Sequence, residues 1–184
     1  EHNRHLCPPL PPTDSSALYT NGQWFIYKSH CYYTSCIVQA TYFEALNRCT
    51  SLARHGCSLV SVMDSAENEF LSWALIPRTV AHDCNPRVWM GLVNTDAGGK
   101  YIWLQQSYYK ASNVKQQNLE SDSQTPTVVH HDSDAKYFNW APLQPDNEDV
   151  SRICGTFSAV SGQWSFEHCY VKQSYVCKCP LNEK

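Results

Sequence analysis

The sequence predicts one disulfide-rich α+β domain, and three features support this prediction. The chain contains ten cysteines, and an even number in a chain of this kind fits a framework of disulfides. Two segments begin with a capping signal and continue with helical spacing of apolar residues, which is typical of amphipathic helices. The run Val88–Val93 is apolar throughout and indicates a strand that is buried on both faces.

The size and charge of the chain exclude several classes of function. Its 184 residues are enough for one domain with a substantial core. The formal net charge of −3 favours neither nucleic acid nor an anionic membrane surface as a partner. No apolar run approaches the ~20 residues that a transmembrane helix needs. Because this cysteine content favours an oxidising compartment, we expect a secreted protein or the extracellular domain of a surface protein.

Two helices are predicted from local signals. Thr41 and Glu44 form a capping box, in which each side chain accepts a hydrogen bond from the other residue's free N–H. Asp64 and Glu67 repeat this pattern at the start of a second amphipathic segment. Pro77 is expected to end the second helix, because proline lacks a backbone donor and clashes with the preceding turn.

The rest of the chain divides into an arm, strands and a long polar segment. Residues 1–23 contain several prolines and predict an extended arm, and residues 180–184 form a short tail after a domain spanning 24–179. Trp24–Tyr33 is aromatic and predicts one strand. Residues 105–136 have few apolar anchors and predict a long loop inserted in the domain, either functional or disordered.

The order of motifs between residues 24 and 179 resembles that of the C-type lectin-like family. No single motif is specific, but together they follow the family's order and spacing: Trp24, Cys31-Tyr32, Phe43–Cys49, Gly56–Val62, Trp89–Leu92, Asn139-Trp140, Gln144–Asp146, Cys154, Trp164, Cys169 and Tyr175–Cys177. The resemblance implies two helices, antiparallel sheets and a long-loop region on top that carries the ligand site.

The same resemblance implies two disulfides, Cys49–Cys177 and Cys154–Cys169. Because the first closes the longer loop, we expect its removal to cost more stability than removal of the second. The pairing of the other six cysteines stays open. Cys7 has two candidate partners, Cys31 and Cys179, and three further cysteines depart from the family's pattern: Cys36, Cys57 and Cys84.

The first part of the family's calcium site is present. Calcium takes six to eight oxygen ligands, mostly from carboxylates and carbonyls. The segment Gln144-Pro145-Asp146 resembles the galactose-type form of the family's first ligand motif. We expect a cis peptide bond at Pro145, with the two flanking side chains directed toward the ligand site.

The other calcium ligands of the family are replaced. Arg152 stands where an acidic residue is expected, and Ser165 and Phe166 follow the second tryptophan where the family has Asn-Asp. We therefore interpret Gln144 and Asp146 as vestigial ligands and expect no cofactor. Arg152 is then expected to form an ion pair with Asp146 or Glu148.

Ligand recognition is predicted on the face formed by residues 105–136 and 142–152. We expect this face to contribute aromatic, amide, acidic and arginine contacts, which are the residue types that anchor binding surfaces. The predicted contact residues are Tyr108, Tyr109, Gln144, Asp146, Asn147, Glu148, Arg152 and Trp164. An equally good interpretation of the two tyrosines is that they pack within their own loop.

The residues named above favour one of three candidate functions. The favoured one is a calcium-independent recognition module for a protein or glycan ligand on a cell surface or in extracellular fluid. The second is a calcium-dependent galactose-type lectin, in which Glu148 and Asp149 complete a re-routed site. An enzyme is disfavoured, because the sequence has neither a Gly-x-Ser-x-Gly nucleophile motif nor a recognisable glycosidase-like carboxylate pair.

Overall fold

The computed structural model describes residues 7–8, 23–52, 56–82, 85–95, 100–108 and 128–181. These residues contain two helices, α1 (Tyr42–Ser51) and α2 (Ser65–His82). The strands are β1 (Gln23–Tyr27), β2 (His30–Ala40), β3 (Ser58–Leu59), β4 (Arg87–Asn94), β5 (Tyr101–Tyr108), β6 (Val128–Asp134), β7 (Cys154–Ser158), β8 (Trp164–Glu167) and β9 (Gln173–Pro180). The α+β class predicted from the sequence is confirmed.

The segment Trp24–Tyr33 is a hairpin, not the single strand that was predicted. β1 and β2 pair antiparallel, and Tyr27 lies opposite His30, which leaves Lys28 and Ser29 as a two-residue turn. Lys28 has a φ of 50°, in the left-handed region that short hairpin turns use. The turn contains no glycine, asparagine or proline, so the sequence carried no signal for it.

The first helix begins as predicted. The backbone N–H of Thr41 donates to Glu44 Oε2 at 2.9 Å, and the N–H of Glu44 donates back to Thr41 Oγ1 at 3.4 Å, so the capping box is confirmed. The second helix also begins at its predicted signal, because the N–H of Glu67 donates to Asp64 Oδ1 at 2.7 Å. The prediction that Pro77 ends it is wrong, since α2 continues to His82. A proline removes one backbone hydrogen bond, and the turns on either side maintain this helix.

Neither helix in the described part of the chain is long and apolar enough to cross a membrane.

Strand β4 lies at the centre of the sheet. It pairs antiparallel with β5 and β7 and parallel with β9. The parallel pair corrects the prediction of purely antiparallel sheets, and it is possible because a long connection separates β4 from β9. β9 also pairs with β2 and β3, so the last strand of the chain is held in the middle of the fold.

Two apolar clusters form the core. In the first, the fully buried Trp89 packs edge-to-face on Tyr42 with ring centres 5.6 Å apart, and its indole N–H donates to the Ala40 carbonyl at 2.8 Å. The second contains Trp103 and Trp164, whose rings are also edge-to-face, at 5.7 Å. A buried indole N–H needs a partner, and those of Trp89 and Trp164 have one, which orients these two rings.

Four disulfides connect described residues. The two implied by the family resemblance are present, Cys49–Cys177 and Cys154–Cys169. Cys7 pairs with Cys31, one of its two candidates, and not with Cys179. Cys179 pairs instead with Cys57. Two cysteines remain, and the side chain of Cys36 and the whole of Cys84 lie outside the described residues.

The polar segment 105–136 is not a loop throughout, which corrects the prediction. Strand β5 extends to Tyr108 and pairs antiparallel with β6, so that Gln105 lies opposite His131 and Tyr108 opposite Val128. A pair of strands is held by backbone hydrogen bonds, which do not require the apolar side chains on which the prediction rested. Residues 109–127 lie outside the described residues.

Candidate ligand-binding site

The loop from Ala141 to Ile153 is anchored at its base to β8. The backbone N–H of Ala141 donates to the carbonyl of Trp164 at 2.9 Å, and the N–H of Trp164 donates to Asn139 at 2.8 Å. These bonds hold the start of the loop, while Cys154 continues directly into β7 and is cross-linked to Cys169. Both ends of the loop are therefore fixed on the same pair of strands.

The peptide bond between Gln144 and Pro145 is cis, as predicted. The side-chain oxygen of Gln144 accepts a hydrogen bond from the backbone N–H of Phe166 at 3.4 Å. Asp146 Oδ1 accepts from the backbone N–H of Glu148 at 3.1 Å. Both predicted ligand residues therefore direct one side-chain oxygen at a protein donor.

Arg152 forms its ion pair with Asp149, not with Asp146 or Glu148 as predicted. Its Nε lies 3.1 Å from Asp149 Oδ2 and 4.0 Å from Glu167 Oε1. The pairing follows from a turn, because the N–H of Arg152 donates to the Asp149 carbonyl and brings the two side chains together. Hydrogen bonds from the hydroxyl and then the N–H of Ser151, aided by the nearby Arg152 charge, lower the pKa of Asp149.

Phe166 is a core residue. Its side chain is buried and stacks on Tyr101 with ring centres 5.6 Å apart, and it also packs against Trp140 at 5.3 Å. The preceding Ser165 points to the opposite face of β8, where its hydroxyl accepts a hydrogen bond from Arg87 Nη1 at 3.1 Å. Neither position therefore contributes a side-chain carboxylate or amide to the loop.

Trp164 was predicted to contact ligand, and its burial contradicts this. It is fully buried, and its indole N–H donates to Asn68 Oδ1 at 2.8 Å. The alternation of β8 places Trp164 and Phe166 inside and Ser165 and Glu167 outside. The tryptophan positions the loop from below and presents no surface to a ligand.

The remaining predicted contact residues differ in what the structure shows. Asn147 Oδ1 accepts hydrogen bonds from the Tyr101 hydroxyl at 3.0 Å and from Asn94 Nδ2 at 3.4 Å, which fixes the loop to β4 and β5. Glu148 is exposed beside it. The side chain of Tyr108 and all of Tyr109 lie outside the described residues.

The sequence model of the family described as Lectin C-type domain matches residues 38–179. The chain belongs to the C-type lectin domain family. Lectin BRA-3 of Megabalanus rosa is 27% identical over 163 residues, which cover 88% of this chain and 78% of that protein.

A second relative and a crystal structure agree with this assignment. Regenerating islet-derived protein 3-beta of Mus musculus is 32% identical over 159 residues, which cover 83% of this chain and 72% of that protein. The crystal structure of the C-type lectin CEL-I from Cucumaria echinata superimposes with a TM-score of 0.58 at 22% identity, covering 88% of this chain and 96% of that one. At this identity the structural likeness shows the fold alone.

The loop of this C-type lectin domain supplies few of the oxygen ligands that calcium needs. Six to eight oxygens are needed, and the described residues contain no group of three or more histidine, cysteine, aspartate or glutamate side chains that could hold a metal. Gln144 and Asp146 supply oxygens that already accept hydrogen bonds. Arg152 pairs with Asp149, and the ring of Phe166 is buried in the aromatic core, so neither position supplies an oxygen ligand.

The domain also has an open pocket that the sequence did not predict. It measures about 370 Å³ and lies on the outer face of β7 and β8, beside the loop. Its lining includes Arg87 from the start of β4 and several hydroxyl and amide side chains: Gln144, Thr156, Ser158, Ser161, Gln163 and Ser165. The alternation of polar with buried residues in β8 was a sequence signal for such a face, but nothing in the sequence placed Arg87 beside it.

Proposed function

We propose that this C-type lectin domain is a non-catalytic extracellular module that recognises a protein or glycoprotein without calcium. The observation that carries the proposal is the burial of Phe166 in the aromatic core at a position where the family has a calcium ligand. Restoring a carboxylate there would require burying a charge among Tyr101 and Trp140, which is strongly unfavourable without a partner.

The charges around the loop support the same conclusion. Asp149, which could have replaced a lost ligand, is engaged with Ser151 and Arg152. Arg152 stands where the family uses an acidic residue, so this position supplies no oxygen to a divalent cation. Two oxygens, from Gln144 and Asp146, are far fewer than the six that calcium requires.

The exposed surface of the loop is suited to a macromolecular ligand. Leu143 is 96% exposed and Val150 is 68% exposed, and both lie between polar residues. Apolar side chains within a polar rim are a common arrangement in protein interfaces. The relative from Megabalanus rosa is named a lectin, and that name supports a ligand that bears carbohydrate.

Two further points support an extracellular location and a non-catalytic role. Four disulfides among the described residues fit an oxidising compartment, which favours an extracellular protein. C-type lectin domains are generally non-catalytic.

The second candidate is a calcium-dependent galactose-type lectin, and it is favoured by the residue types of one segment. The residues Gln144 and Asp146 on either side of Pro145 resemble the galactose-type pattern. In this alternative the exposed Glu148 would turn toward the ion and supply a missing carboxylate.

Calcium titration distinguishes the two candidates. Extracellular calcium modules bind with dissociation constants of roughly 10⁻⁴–10⁻³ M. A tenfold excess over such a constant would stabilise the domain by about 1.4 kcal/mol, which raises Tm by roughly 3–6 °C at this size. We expect no change in Tm between chelator and millimolar calcium.

Asp146→Asn provides the matched control for this measurement. It should leave the Tm unchanged with and without calcium if the site is vestigial. A calcium-dependent rise in Tm that Asp146→Asn abolishes would contradict the proposal and establish the alternative. A glycan array probed with and without calcium would then identify the ligand class.

A further inference from the structure

The outer face of β7 and β8 carries a polar pocket that continues onto the base of the loop, where Gln144 and Arg152 also line it. In β8, Trp164 and Phe166 are buried while Ser165 and Glu167 are half-buried and face the pocket. Nine of the twelve lining residues are polar. A pocket of about 370 Å³ is within the range of roughly 300–1,000 Å³ that is typical of small-ligand sites.

Arg87 supplies positive charge to this pocket without a counter-ion. Its side chain is exposed, and one guanidinium nitrogen, Nη1, donates to Ser165 Oγ at 3.1 Å. Within the described ranges, no carboxylate oxygen lies within 4.0 Å of the guanidinium. Its backbone is also fixed, because the N–H donates to Asn85 Oδ1 at 2.9 Å. The arginine is therefore placed by the fold but not neutralised by it.

Arg152, the other arginine of the pocket, differs in this respect. It lies 3.1 Å from Asp149 and 4.0 Å from Glu167, so carboxylates balance its charge. The pocket thus offers one arginine that can accept an anion without breaking an existing ion pair. A planar guanidinium can hold a sulfate or carboxylate group through two parallel N–H donors.

Hydroxyl groups next to Arg87 form a chain of hydrogen bonds. Ser165 Oγ lies 2.9 Å from Thr156 Oγ1, and Thr156 Oγ1 can also donate to the Ser165 carbonyl at 3.4 Å. When Arg87 Nη1 and Thr156 Oγ1 both donate to Ser165 Oγ, the hydroxyl proton of Ser165 is free to donate to a ligand. Ser158 adds a second half-buried hydroxyl on the neighbouring strand.

We propose that this pocket binds the sulfate or carboxylate group of an acidic sugar, with Arg87 as the charged anchor beside the hydroxyls of Ser165 and Ser158. This inference rests on the proposed function as a recognition module and names the ligand class of a site that shares Gln144 and Arg152 with the loop. The surrounding amides and hydroxyls match the hydroxyl groups of a sugar ring. A long polyanion is not favoured, because neutralising it requires a row of cations, whereas Arg87 alone is uncompensated here.

The substitution Arg87→Gln tests the anchor directly. Removing a hydrogen bond to a charged group weakens binding by roughly 10- to 100-fold, and we expect a loss in that range. Arg87→Lys keeps the charge but loses the planar pair of donors, so its affinity should lie between that of the unmodified protein and that of Arg87→Gln. Lys28→Gln is the control, since it removes one positive charge from a residue that is paired with Asp64 outside the pocket.

The probes are galactose carrying one sulfate, galacturonic acid, unmodified galactose and inorganic sulfate, each titrated by NMR in the presence of a calcium chelator. We expect the two acidic sugars to bind more tightly than either unmodified galactose or inorganic sulfate, with shifts in β7 and β8 resonances. Thermal unfolding of each variant confirms that it is folded. Lys28→Gln should bind as the unmodified protein does.

Several results would overturn the inference. They are the absence of binding by both acidic sugars, equal affinity for inorganic sulfate and sulfated galactose, and full binding by Arg87→Gln. Each leaves calcium-independent recognition intact, because the calcium titration tests that function separately. Conversely, binding of unmodified galactose that requires calcium and Asp146 would refute the proposed function without involving Arg87.

Discussion

The disulfides Cys49–Cys177 and Cys57–Cys179 are predicted to be strongly coupled. Their sequence separations are 128 and 122, and both join the region around α1 and β3 to β9. By loop-closure entropy, closing the longer loop alone stabilises the fold by about 4.9 kcal/mol. Once one disulfide is present, the other closes a ring of only about ten residues, eight from Cys49 to Cys57 and two from Cys177 to Cys179. A ring of this size corresponds to about 2.7 kcal/mol.

This geometry makes the two disulfides partly redundant. Replacing either pair by alanine should cost about 2.7 kcal/mol, because the remaining disulfide still closes the long loop. Replacing both pairs should cost about 7.6 kcal/mol, which exceeds the sum of the single losses by about 2.2 kcal/mol. The structure therefore revises the expectation that loss of Cys49–Cys177 costs more than loss of Cys154–Cys169. The latter has a separation of 15 and corresponds to about 3.0 kcal/mol.

Urea unfolding followed by tryptophan fluorescence, without reductant, measures the four free energies of unfolding in this cycle. An osmolyte that stabilises all four proteins equally keeps the double-pair variant folded. Additive losses would total only about 5.4 kcal/mol. If the unmodified protein is more stable than this and the variant lacking both disulfides is nevertheless unfolded, the coupling is also supported. Additive losses, with a coupling free energy near zero, would refute the reasoning.

Two further substitutions test the packing around the sheet. Glu67→Gln removes the buried counter-charge of Lys178, whose Nζ lies 2.6 Å from Glu67 Oε1, and should cost about 3 kcal/mol in urea unfolding. Lys28→Gln breaks an exposed pair and should change stability far less, so equal effects would contradict this assignment. Gly155→Ala would place a Cβ 2.7 Å from Leu92 Cβ and should destabilise by about 1–3 kcal/mol, whereas an unchanged Tm would show that the strands can separate.

Local signals in the sequence were accurate where the interaction itself is local. The capping box of Thr41 and Glu44 involves residues three apart, and the structure contains both of its hydrogen bonds. The apolar run beginning at Val88 forms the buried strand β4. In both cases the residues that stabilise the element are neighbours in sequence, or their burial follows directly from their composition.

The sequence was less informative where backbone pairing decides the structure. The turn at Lys28 and Ser29 lacks the glycine or asparagine that marks most two-residue hairpin turns, and β6 is a polar segment that pairs with β5 through its backbone. Side-chain patterns report burial, so they do not reveal a strand whose pairing depends on backbone hydrogen bonds. The predictions of one strand over Trp24–Tyr33 and of a loop throughout 105–136 were wrong for this reason.

The sequence by itself pointed to the family, the α+β class and two disulfides, and it showed that Arg152 and Phe166 stand where the family has calcium ligands. Only the tertiary structure decided which acid pairs with Arg152, which cysteines pair with Cys31 and Cys179, and that Arg87 meets Ser165. In the fold Cys31 and Cys179 lie directly opposite each other on β2 and β9, yet each is bonded to a different cysteine. Such choices depend on strand register and on distances between residues far apart in the chain, and a disulfide or ion pair forms only where those distances are short.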